Sequence, residues 1–261
     1  ENGFLLIEDF FDNDSFVEIQ KEVASTNLDA RQCVQGDTLT QRIMLDSSNR
    51  DVLPASHKLI SDKRYLNIMK YTSSHNQTPI FYIQFIKNGF NQGQPDPQKV
   101  LHSDTFHPSM KAWFFLEDVP LDNGPFTYIP ESHKFSLKRM KWEYHKSQTV
   151  LQQPDGYSEK GSLRLTDEDI VEMRLKPTKK IAFKANTLVV ANTHGFHGRG
   201  KAVAGASRLE IWAYSRANPF LPLPSLGLPY WHDIENWIIN HYLKYKDREA
   251  KQNGSRSSWH N

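Results

Sequence analysis

The stretch Val100-Leu-His-Ser-Asp-Thr-Phe-His107, with the apolar run Lys111-Ala-Trp-Phe-Phe-Leu116 three residues further on, decides how this chain is interpreted. Side chains of an extended segment alternate between two faces, so His102 and Asp104 point to the same side. One imidazole nitrogen and one carboxylate oxygen on the same side can share a metal ion. The run that follows is rich in aromatic residues, which predicts a further strand.

A second histidine motif, Asn192-Thr-His-Gly-Phe-His-Gly-Arg-Gly200, lies far downstream. His194 and His197 are both candidates for a further metal ligand. They would face opposite sides of a strand, because they are three residues apart. We favour His197, because Gly198 lets the chain turn directly after the ligand. His107 is a weaker candidate and is predicted to lie in a loop near the mouth of the site.

Two histidines and one carboxylate that leave three positions open on a metal are typical of non-haem Fe(II) oxygenases. Arg208 follows His197 by eleven residues and begins the predicted strand Arg208–Ser215. Its guanidinium is suited to hold the far carboxylate of a 2-oxo acid through paired, charge-assisted hydrogen bonds. From the residues alone, Mn, Co, Ni or Zn are alternative metals, and a surface arginine is the alternative for Arg208.

The order of the apolar segments predicts a mainly β protein. One helix is expected after Asp12–Ser15, a second within Leu53–Met69 and a closing amphipathic helix at Tyr230–Tyr245. About eight short strands are predicted, at Gly3–Phe11, Pro79–Ile86, the segment around His102, Lys111–Leu116, Phe126–Ile129, Lys180–Phe183, Thr187–Ala191 and Arg208–Ser215. This order is typical of a sandwich or jelly-roll core with N- and C-terminal helical flanks.

Residues 134–180 differ from the rest of the chain, because they are rich in charged residues and have few regular apolar repeats. We interpret them as an insertion that is either a lid over the mouth of the core or a solvated excursion. A short helix is expected to begin at Thr166. The chain 1–261 is treated as a single domain, with residues 219–261 as a C-terminal extension.

Composition narrows the class of protein. Thirty-two basic and thirty acidic residues give a net charge of +2, which argues against a dedicated nucleic-acid binder. The single cysteine, Cys33, cannot form an intrachain disulfide, which favours a reducing, cytoplasmic setting. No stretch approaches the ~20 apolar residues of a transmembrane helix. We therefore expect a monomer or homodimer that acts on a small molecule.

These motifs together resemble the phytanoyl-CoA dioxygenase family of Fe(II)/2-oxoglutarate oxygenases. The opening Asn2–Phe11 is similar to the family's first strand and helix entry, and His102-Ser-Asp104 matches its His-x-Asp element. The stretch from Trp113 to Lys134 is similar to its apolar strand, Asn-Gly turn and Pro-Gly-Ser-His-Lys segment. His197-Gly-Arg-Gly200 resembles the distal histidine motif, and Arg208 stands where the family holds 2-oxoglutarate. The resemblance covers most of the chain and is weakest in the middle insertion.

Two positions depart from the family pattern. Glu131 replaces a usual glycine, and Arg199 stands where many members have serine. The resemblance implies a double-stranded β-helix core, and a reaction that converts 2-oxoglutarate, O2 and substrate to succinate, CO2 and a hydroxylated product. Members that halogenate lack the carboxylate, so Asp104 favours hydroxylation. By analogy, Trp113 walls the 2-oxoglutarate pocket and Gln84 donates a hydrogen bond to it, although each is also a plausible core residue.

The substrate is predicted only as a class. Arg199, Trp212, Arg216 and His107 are the candidate substrate contacts, and their charge suggests a polar or anionic small metabolite. Solvated surface charge is the alternative explanation for these cations. Three other functions stay open at this point: a cupin-like metal-binding isomerase or binding protein without 2-oxoglutarate, an inactive relative that acts as a scaffold, and a peptide hydroxylase of the same chemistry.

Overall fold

The computed structural model describes residues 1–152 and 155–216, and from the remainder residues 234, 237–238, 241–242, 245–246, 248–249 and 256–258. Five α-helices have both ends within the described residues, namely α1 (Asn13–Ser25), α2 (Pro54–Ile60), α3 (Lys63–Ser73), α4 (Leu137–Thr149) and α5 (Asp167–Met173). Residues 234, 237–238, 241–242, 245–246 and 248–249 are helical as well. The strands of the described part of the chain are β1 (Phe4–Ile7), β2 (Asp29–Gln35), β3 (Thr38–Met44), β4 (Ile80–Asn88), β5 (Ser109–Phe115), β6 (Phe126–Tyr128), β7 (Lys179–Ile181), β8 (Leu188–Asn192), β9 (His197–Arg199), β10 (Ser207–Arg216) and β11 (Arg256–Ser258).

The strands form two antiparallel sheets. The major sheet has the order β1-β8-β5-β10-β4-β3-β2-β11, and the minor sheet has the order β7-β6-β9. His102 extends the minor sheet, because it bridges His197 on one side and Arg164 on the other. Apart from the hairpin of β2 and β3, neighbours in the sheets are far apart in the chain, as in a jelly roll, so the predicted fold class is confirmed.

Period-two alternation along β5 and β8 divides the core into two layers. Ala112 and Phe114 of β5 pack with α1, α2 and α3 on the outer face of the major sheet. Trp113 and Phe115 point the other way, into a cluster that includes Phe126 of the minor sheet. The inner face of the major sheet therefore looks onto the minor sheet, and the cavity described below opens between them.

The charged segment 134–180 is folded and packs against the minor sheet. Trp142 of α4 contacts Phe196 edge to face, with ring centroids 5.1 Å apart. Leu165 and Met173 belong to the same buried cluster. Just before α5, backbone hydrogen bonds join Leu165 to Leu101 and Ser103 to Leu163, so this segment runs beside the His-x-Asp motif. The charged segment is therefore hydrogen-bonded to the backbone on both sides of His102.

Most predicted elements are confirmed, with several differences. The segment around His102 forms isolated bridges instead of the predicted strand, and β9 and β11 were not predicted. The helix predicted within Leu53–Met69 is two helices, α2 and α3. Strands β2 and β3 were not predicted, because β3 carries polar residues such as Thr40 and Arg42 on the face that lines the cavity. Helix α4 was missed because Arg139 and Trp142 are the only buried residues of its thirteen, which leaves no apolar stripe in the sequence.

The C-terminal part of the chain is described only in fragments. Most of the helix predicted over Tyr230–Tyr245 lies outside the described residues, as does most of the extension 219–261. β11 is described, and it pairs with β2 at the edge of the major sheet. Within the described part of the chain, no helix combines the length and the apolar character needed to cross a membrane.

Candidate metal centre and cavity

Backbone pairing brings the two histidine motifs together. The amide of His102 donates to the carbonyl of His197 at 2.9 Å, and the amide of His197 donates back to His102 at the same distance. Their rings lie 4.6 Å apart between centroids, on the inner side of the minor sheet. A separation of ninety-five residues along the chain is thus closed by one antiparallel bridge, which fixes both side chains relative to each other.

The tautomer of each histidine follows from its hydrogen bond. Nδ1 of His102 lies 2.7 Å from the carbonyl oxygen of Val100, and Nδ1 of His197 lies 2.9 Å from that of Gly195. A carbonyl oxygen can only accept, so each Nδ1 carries the proton and each Nε2 keeps its lone pair. Both Nε2 atoms are buried and have no hydrogen-bond partner among the described residues. Two lone pairs held without a partner in this way are suited to bind a metal.

Asp104 completes a group of three ligand atoms. Its Oδ1 lies 3.8 Å from Nε2 of His102, and its Oδ2 lies 3.7 Å from Nε2 of His197. One ligand atom from each residue can be chosen so that all three lie within 4.8 Å of one another. Lys111 donates to Oδ1 of Asp104 at 2.8 Å, which leaves Oδ2 as the oxygen without a hydrogen bond from the described residues.

The charges of the three residues agree with a metal centre. Burial lowers the pKa of His197 to about 4 and the pKa of His102 well below its usual value, so both imidazoles are neutral near pH 7. Burial opposes ionisation of Asp104, but the charge of Lys111 and, at the low pH where this carboxyl titrates, the charges of the protonated histidines outweigh it and hold its pKa far below the usual value. Two neutral imidazoles and one carboxylate fit a divalent metal such as Fe(II).

His194, the other histidine of the downstream motif, lies apart from this group. Its Nε2 is 3.4 Å from a carboxylate oxygen of Glu143 on α4, and its carbonyl accepts from Arg139. The expected reason for Gly198 was wrong, because the chain continues as β9 through Arg199 rather than turning after His197. A Cβ at Gly198 would lie 3.2 Å from the hydroxyl of Thr127, so the glycine permits close packing of β9.

A cavity of about 370 Å³ lies between the sheets and includes the metal centre in its wall. Its walls combine aromatic and cationic side chains. The residues that line it are Gln35, Thr40, Arg42, Gln84, Ile86, Gln98, His102, Asp104, Ser109, Met110, Lys111, Trp113, Phe115, Phe126, Thr193, His197, Gly198, Arg199, Arg208, Trp212, Tyr214 and Ser215. The volume is in the range of small-molecule sites.

One wall of the cavity is a hydrogen-bonded line across three strands, which we call the polar row (Arg42, Gln84, Glu210 and Arg208). Nε of Arg42 donates to Gln84 at 2.6 Å, and the amide of Gln84 donates to Glu210 at 2.5 Å. The other carboxylate oxygen of Glu210 lies 3.0 Å from Nε of Arg208. Arg208 also donates to the carbonyl of Gly124 at 2.6 Å. Gln84 and Arg208 therefore both face the cavity, as the sequence predicted.

The other predicted site residues have different positions. Trp113 and Trp212 pair across β5 and β10 and both line the cavity. Arg199 lines it as well and forms a buried ion pair with Asp96. His107 is half-buried and is not among the lining residues, and its Nδ1 lies 3.0 Å from the carbonyl oxygen of Pro108. Arg216 ends β10, and its side chain lies outside the described residues.

Sequence reasoning missed two charged residues that line the cavity, Lys111 and Arg42, and the carboxylate of Asp96 that pairs with Arg199 of its wall. Lys111 was recoverable, because it lies two residues before Trp113 and period-two alternation places both on the inner face. Arg42 was not recoverable without β3, which the apolar pattern did not reveal. Asp96 lies in loop sequence, and only the fold brings its carboxylate to Arg199.

Known proteins resemble this chain in sequence and in fold. The model of the family Phytanoyl-CoA dioxygenase (PhyH) matches residues 1–177. The crystal structure of the non-haem alpha ketoglutarate dependent epimerase SnoN from nogalamycin biosynthesis has a TM-score of 0.55 at 16% identity, covering 83% of this chain and 79% of that one. SnoN in complex with Fe3+, alpha ketoglutarate and nogalamycin RO has a TM-score of 0.53 at 15% identity, covering 87% of both chains.

A further solved structure has the same fold and a different reaction. The non-haem alpha ketoglutarate dependent carbocyclase SnoK, also from nogalamycin biosynthesis, has a TM-score of 0.50 at 14% identity, covering 84% of this chain and 81% of that one. No curated protein sequence matches the chain. At these identities the structural likeness shows a common fold.

Proposed function

The chain belongs to the phytanoyl-CoA dioxygenase family, and we propose that it is an Fe(II)- and 2-oxoglutarate-dependent dioxygenase that hydroxylates a small, polar or anionic metabolite. Iron and 2-oxoglutarate are the metal and co-substrate of the family. The observation that carries the proposal is the pair of unpartnered Nε2 atoms of His102 and His197, which lie with the carboxylate of Asp104 in the wall of a cavity.

His102, Asp104 and His197 would hold the iron. When bound, iron and 2-oxoglutarate supply the activation of O2 and the oxidising power for the substrate, with succinate and CO2 as products. The protein's own part is to keep both imidazoles neutral by burying them, and to orient each ring through the hydrogen bond from its Nδ1 to a backbone carbonyl. Lys111 keeps Asp104 ionised and restrains one of its oxygens.

Arg208 would bind the far carboxylate of 2-oxoglutarate. It is buried, lines the cavity and is held by Glu210 and the carbonyl of Gly124. A guanidinium fixed by two acceptors loses little conformational entropy when it binds a further anion. Trp113 and Phe115, which pack in the same wall, would exclude water along the co-substrate.

Hydroxylation is the finer part of the proposal, since the family's fold also serves epimerisation in SnoN and ring closure in SnoK. Asp104 favours hydroxylation over halogenation, because the complete set of three ligands leaves no ligand position for halide. A polar or anionic substrate is supported by the cationic lining of the cavity, with Arg42, Lys111, Arg199 and Arg208 all in its wall.

The test is succinate formation from 2-oxoglutarate by anaerobically purified, Fe(II)-loaded protein on exposure to air, without added substrate. We expect slow turnover in the wild type and none in Arg208→Ala. Arg64→Ala is the matched control, because it removes an exposed guanidinium on the far side of the major sheet. Turnover that survives Arg208→Ala would contradict the assigned role of this residue.

A wild type that forms no succinate, and in which 2-oxoglutarate does not tighten Fe(II) binding, would favour the cupin-like alternative that does not use 2-oxoglutarate. If turnover occurs, a metabolite screen under isotopically labelled O2 decides the outcome of the reaction. Hydroxylation predicts one labelled oxygen atom in the product and one in succinate. A product without the label would place the chain with epimerases or cyclases.

A further inference from the structure

The cavity contains one cation whose charge no carboxylate of the described residues neutralises. Four cationic side chains line it, and three of them have an acidic partner. The pairs are Lys111 with Asp104, Arg199 with Asp96, and Arg208 with Glu210. The fourth cation, Arg42, is bonded to the neutral amide oxygen of Gln84. A guanidinium that is largely removed from water and lacks a counter-ion is costly, and an anionic ligand would offset that cost.

The guanidinium of Arg42 is fixed in place with one edge left open. Nε donates to Gln84 at 2.6 Å, and the guanidinium carbon lies 4.6 Å from the ring centroid of Trp212. The two Nη groups have no hydrogen-bond partner among the described residues. Because the side chain lines the cavity, these groups are the edge that is available to a ligand. A planar pair of nitrogens suits the bidentate geometry of a carboxylate or a phosphate.

The position of Arg42 separates it from the site assigned to 2-oxoglutarate. It lies on β3, directly across β4 from Glu210 in the register of the major sheet. Along β10, Trp212 and Arg208 lie on opposite sides of Glu210. Since the guanidinium lies over Trp212, it leans away from Arg208.

An aromatic surface leads from Arg42 toward the metal centre. Trp212 stacks on Tyr214 with ring centroids 5.0 Å apart, and both rings line the cavity. Tyr214 is the register partner of Lys111, which contacts Asp104. The cavity wall therefore runs from an open guanidinium, over two stacked rings, to a metal ligand.

We propose that Arg42 binds an acidic group of the substrate, a carboxylate or a phosphate, and that the body of the substrate lies along Trp212 and Tyr214 toward the metal centre. This inference rests on the proposed function and names the substrate class of the same site. Gln84 accepts from Arg42 and donates to Glu210, and these hydrogen bonds then tie the substrate anchor to the co-substrate anchor within the polar row.

The experiment uses protein loaded anaerobically with Fe(II) and 2-oxoglutarate, and it measures the affinity of three probes by calorimetry: benzoate, phenyl phosphate and neutral benzamide. We expect one of the anions to bind and benzamide to bind more weakly. Arg42→Gln is expected to weaken anion binding about 10- to 100-fold, as for hydrogen bonds to a charged group. The better of benzoate and phenyl phosphate distinguishes a carboxylate from a phosphate substrate.

Two further variants control the result. Lys87→Gln removes an exposed positive charge from the neighbouring strand β4 outside the cavity, and it should leave the affinity for the anions unchanged. Arg42→Lys keeps the charge but not the bidentate edge, so it should weaken anion binding by an intermediate factor. It also serves as the test variant if Arg42→Gln does not fold.

Several outcomes would overturn the inference. One is that neither anion binds to the wild type, and another is that the anions bind equally well to both Arg42 variants. A third is that Arg42→Gln weakens 2-oxoglutarate binding by tenfold or more, because the guanidinium would then belong to the co-substrate site. Failure of the proposed function is distinguishable, since it would show as a wild type without succinate formation, whatever the probes do.

Discussion

At the metal centre, each histidine is fixed by a backbone carbonyl two residues earlier in the chain, whereas Arg42, Gln84 and Glu210 of the polar row are joined by side-chain hydrogen bonds between strands. His102 bonds to Val100 and His197 to Gly195. In the polar row, the sequence separations are 42 residues for Arg42 to Gln84 and 126 for Gln84 to Glu210. Local support makes the metal centre recognisable from sequence, while the other end of the cavity depends on the assembled sheet.

Loss of a metal ligand should have the largest effect on activity. His197→Ala is expected to abolish 2-oxoglutarate turnover and to weaken Co(II) binding more than about 100-fold, since loss of the hydrogen bond behind a ligand already costs about 10- to 100-fold. Titration of the visible absorption of Co(II) measures this. His194→Ala is the matched control, because its side chain faces Glu143 instead. Equal losses in the two variants would refute our choice of distal ligand.

Breaking the buried ion pair of Arg199 and Asp96 tests how much charge pairing in the cavity wall stabilises the fold. Arg199→Ser leaves the carboxylate of Asp96 buried without its cation, and should lower the free energy of unfolding by about 3–5 kcal/mol. Urea denaturation measures the change. Adding Asp96→Asn should restore more than half of the loss, because Asn has no charge to bury and still accepts from the amide of Gln98. If Arg199→Ser alone were as stable as the wild type, the ion pair would contribute little to the stability of the fold.

Acid should destabilise the metal-free protein through its two buried histidines. The pKa of His197 is about 4 in the folded state and about 6.5 in the unfolded state, so between these pH values protons bind preferentially to the unfolded chain. The contribution of His197 is complete above about pH 6.5. As the pH falls to about 4, roughly 3 kcal/mol of stability is lost, at about 1.4 kcal/mol per pH unit.

The pKa of His102 is lowered in the same direction, so it adds to the slope. Chemical denaturation of the chelated protein at a series of pH values measures it. The double variant His102→Gln, His197→Gln should have a flatter profile over this range. If wild type and double variant had the same slope, other groups would be responsible for the acid sensitivity.

Removing the side chain behind the metal carboxylate should have the smallest effect. Lys111→Met is expected to weaken Co(II) binding about tenfold, at the low end for a hydrogen-bonded partner of a ligand, because the lost restraint on Asp104 is partly offset by the lost repulsion of the metal. Lys111→Arg should restore most of the affinity. Tighter Co(II) binding by Lys111→Met would mean that the repulsion between Lys111 and the metal outweighs the restraint on Asp104.

Sequence patterns were reliable where one face of an element is apolar. Strand β5 alternates between two apolar layers, and its neighbour β8 does the same, so both were predicted. β3 was missed because its inner face carries Thr40 and Arg42 for the cavity. The polar residues that β3 contributes to the cavity thus remove the apolar periodicity by which the strand could have been predicted. Helix α4 was not predicted for a related reason, because most of its surface is exposed and it has no apolar stripe.

Glu131 shows a departure that the sequence revealed but could not explain. It stands where the family has glycine, and its φ of +68° lies in the left-handed region that favours glycine. Its carboxylate makes ion pairs with Lys134 and Lys176. The turn is therefore retained with a residue that gains partners at some cost in backbone conformation.

The sequence by itself determined the order of the main strands, the family and the set His102, Asp104, His197 and Arg208 as candidates for the chemistry. The pair His102 and Asp104 depends on a short spacing, which alternation along an extended segment converts directly into a shared face. Tertiary structure alone decided which charges in the cavity are paired, since Asp96 meets Arg199, and Gln84 meets both Glu210 and Arg42, only after distant parts of the chain assemble. The open guanidinium of Arg42 follows from that pairing, because a missing partner can be recognised only when all the neighbours are in place.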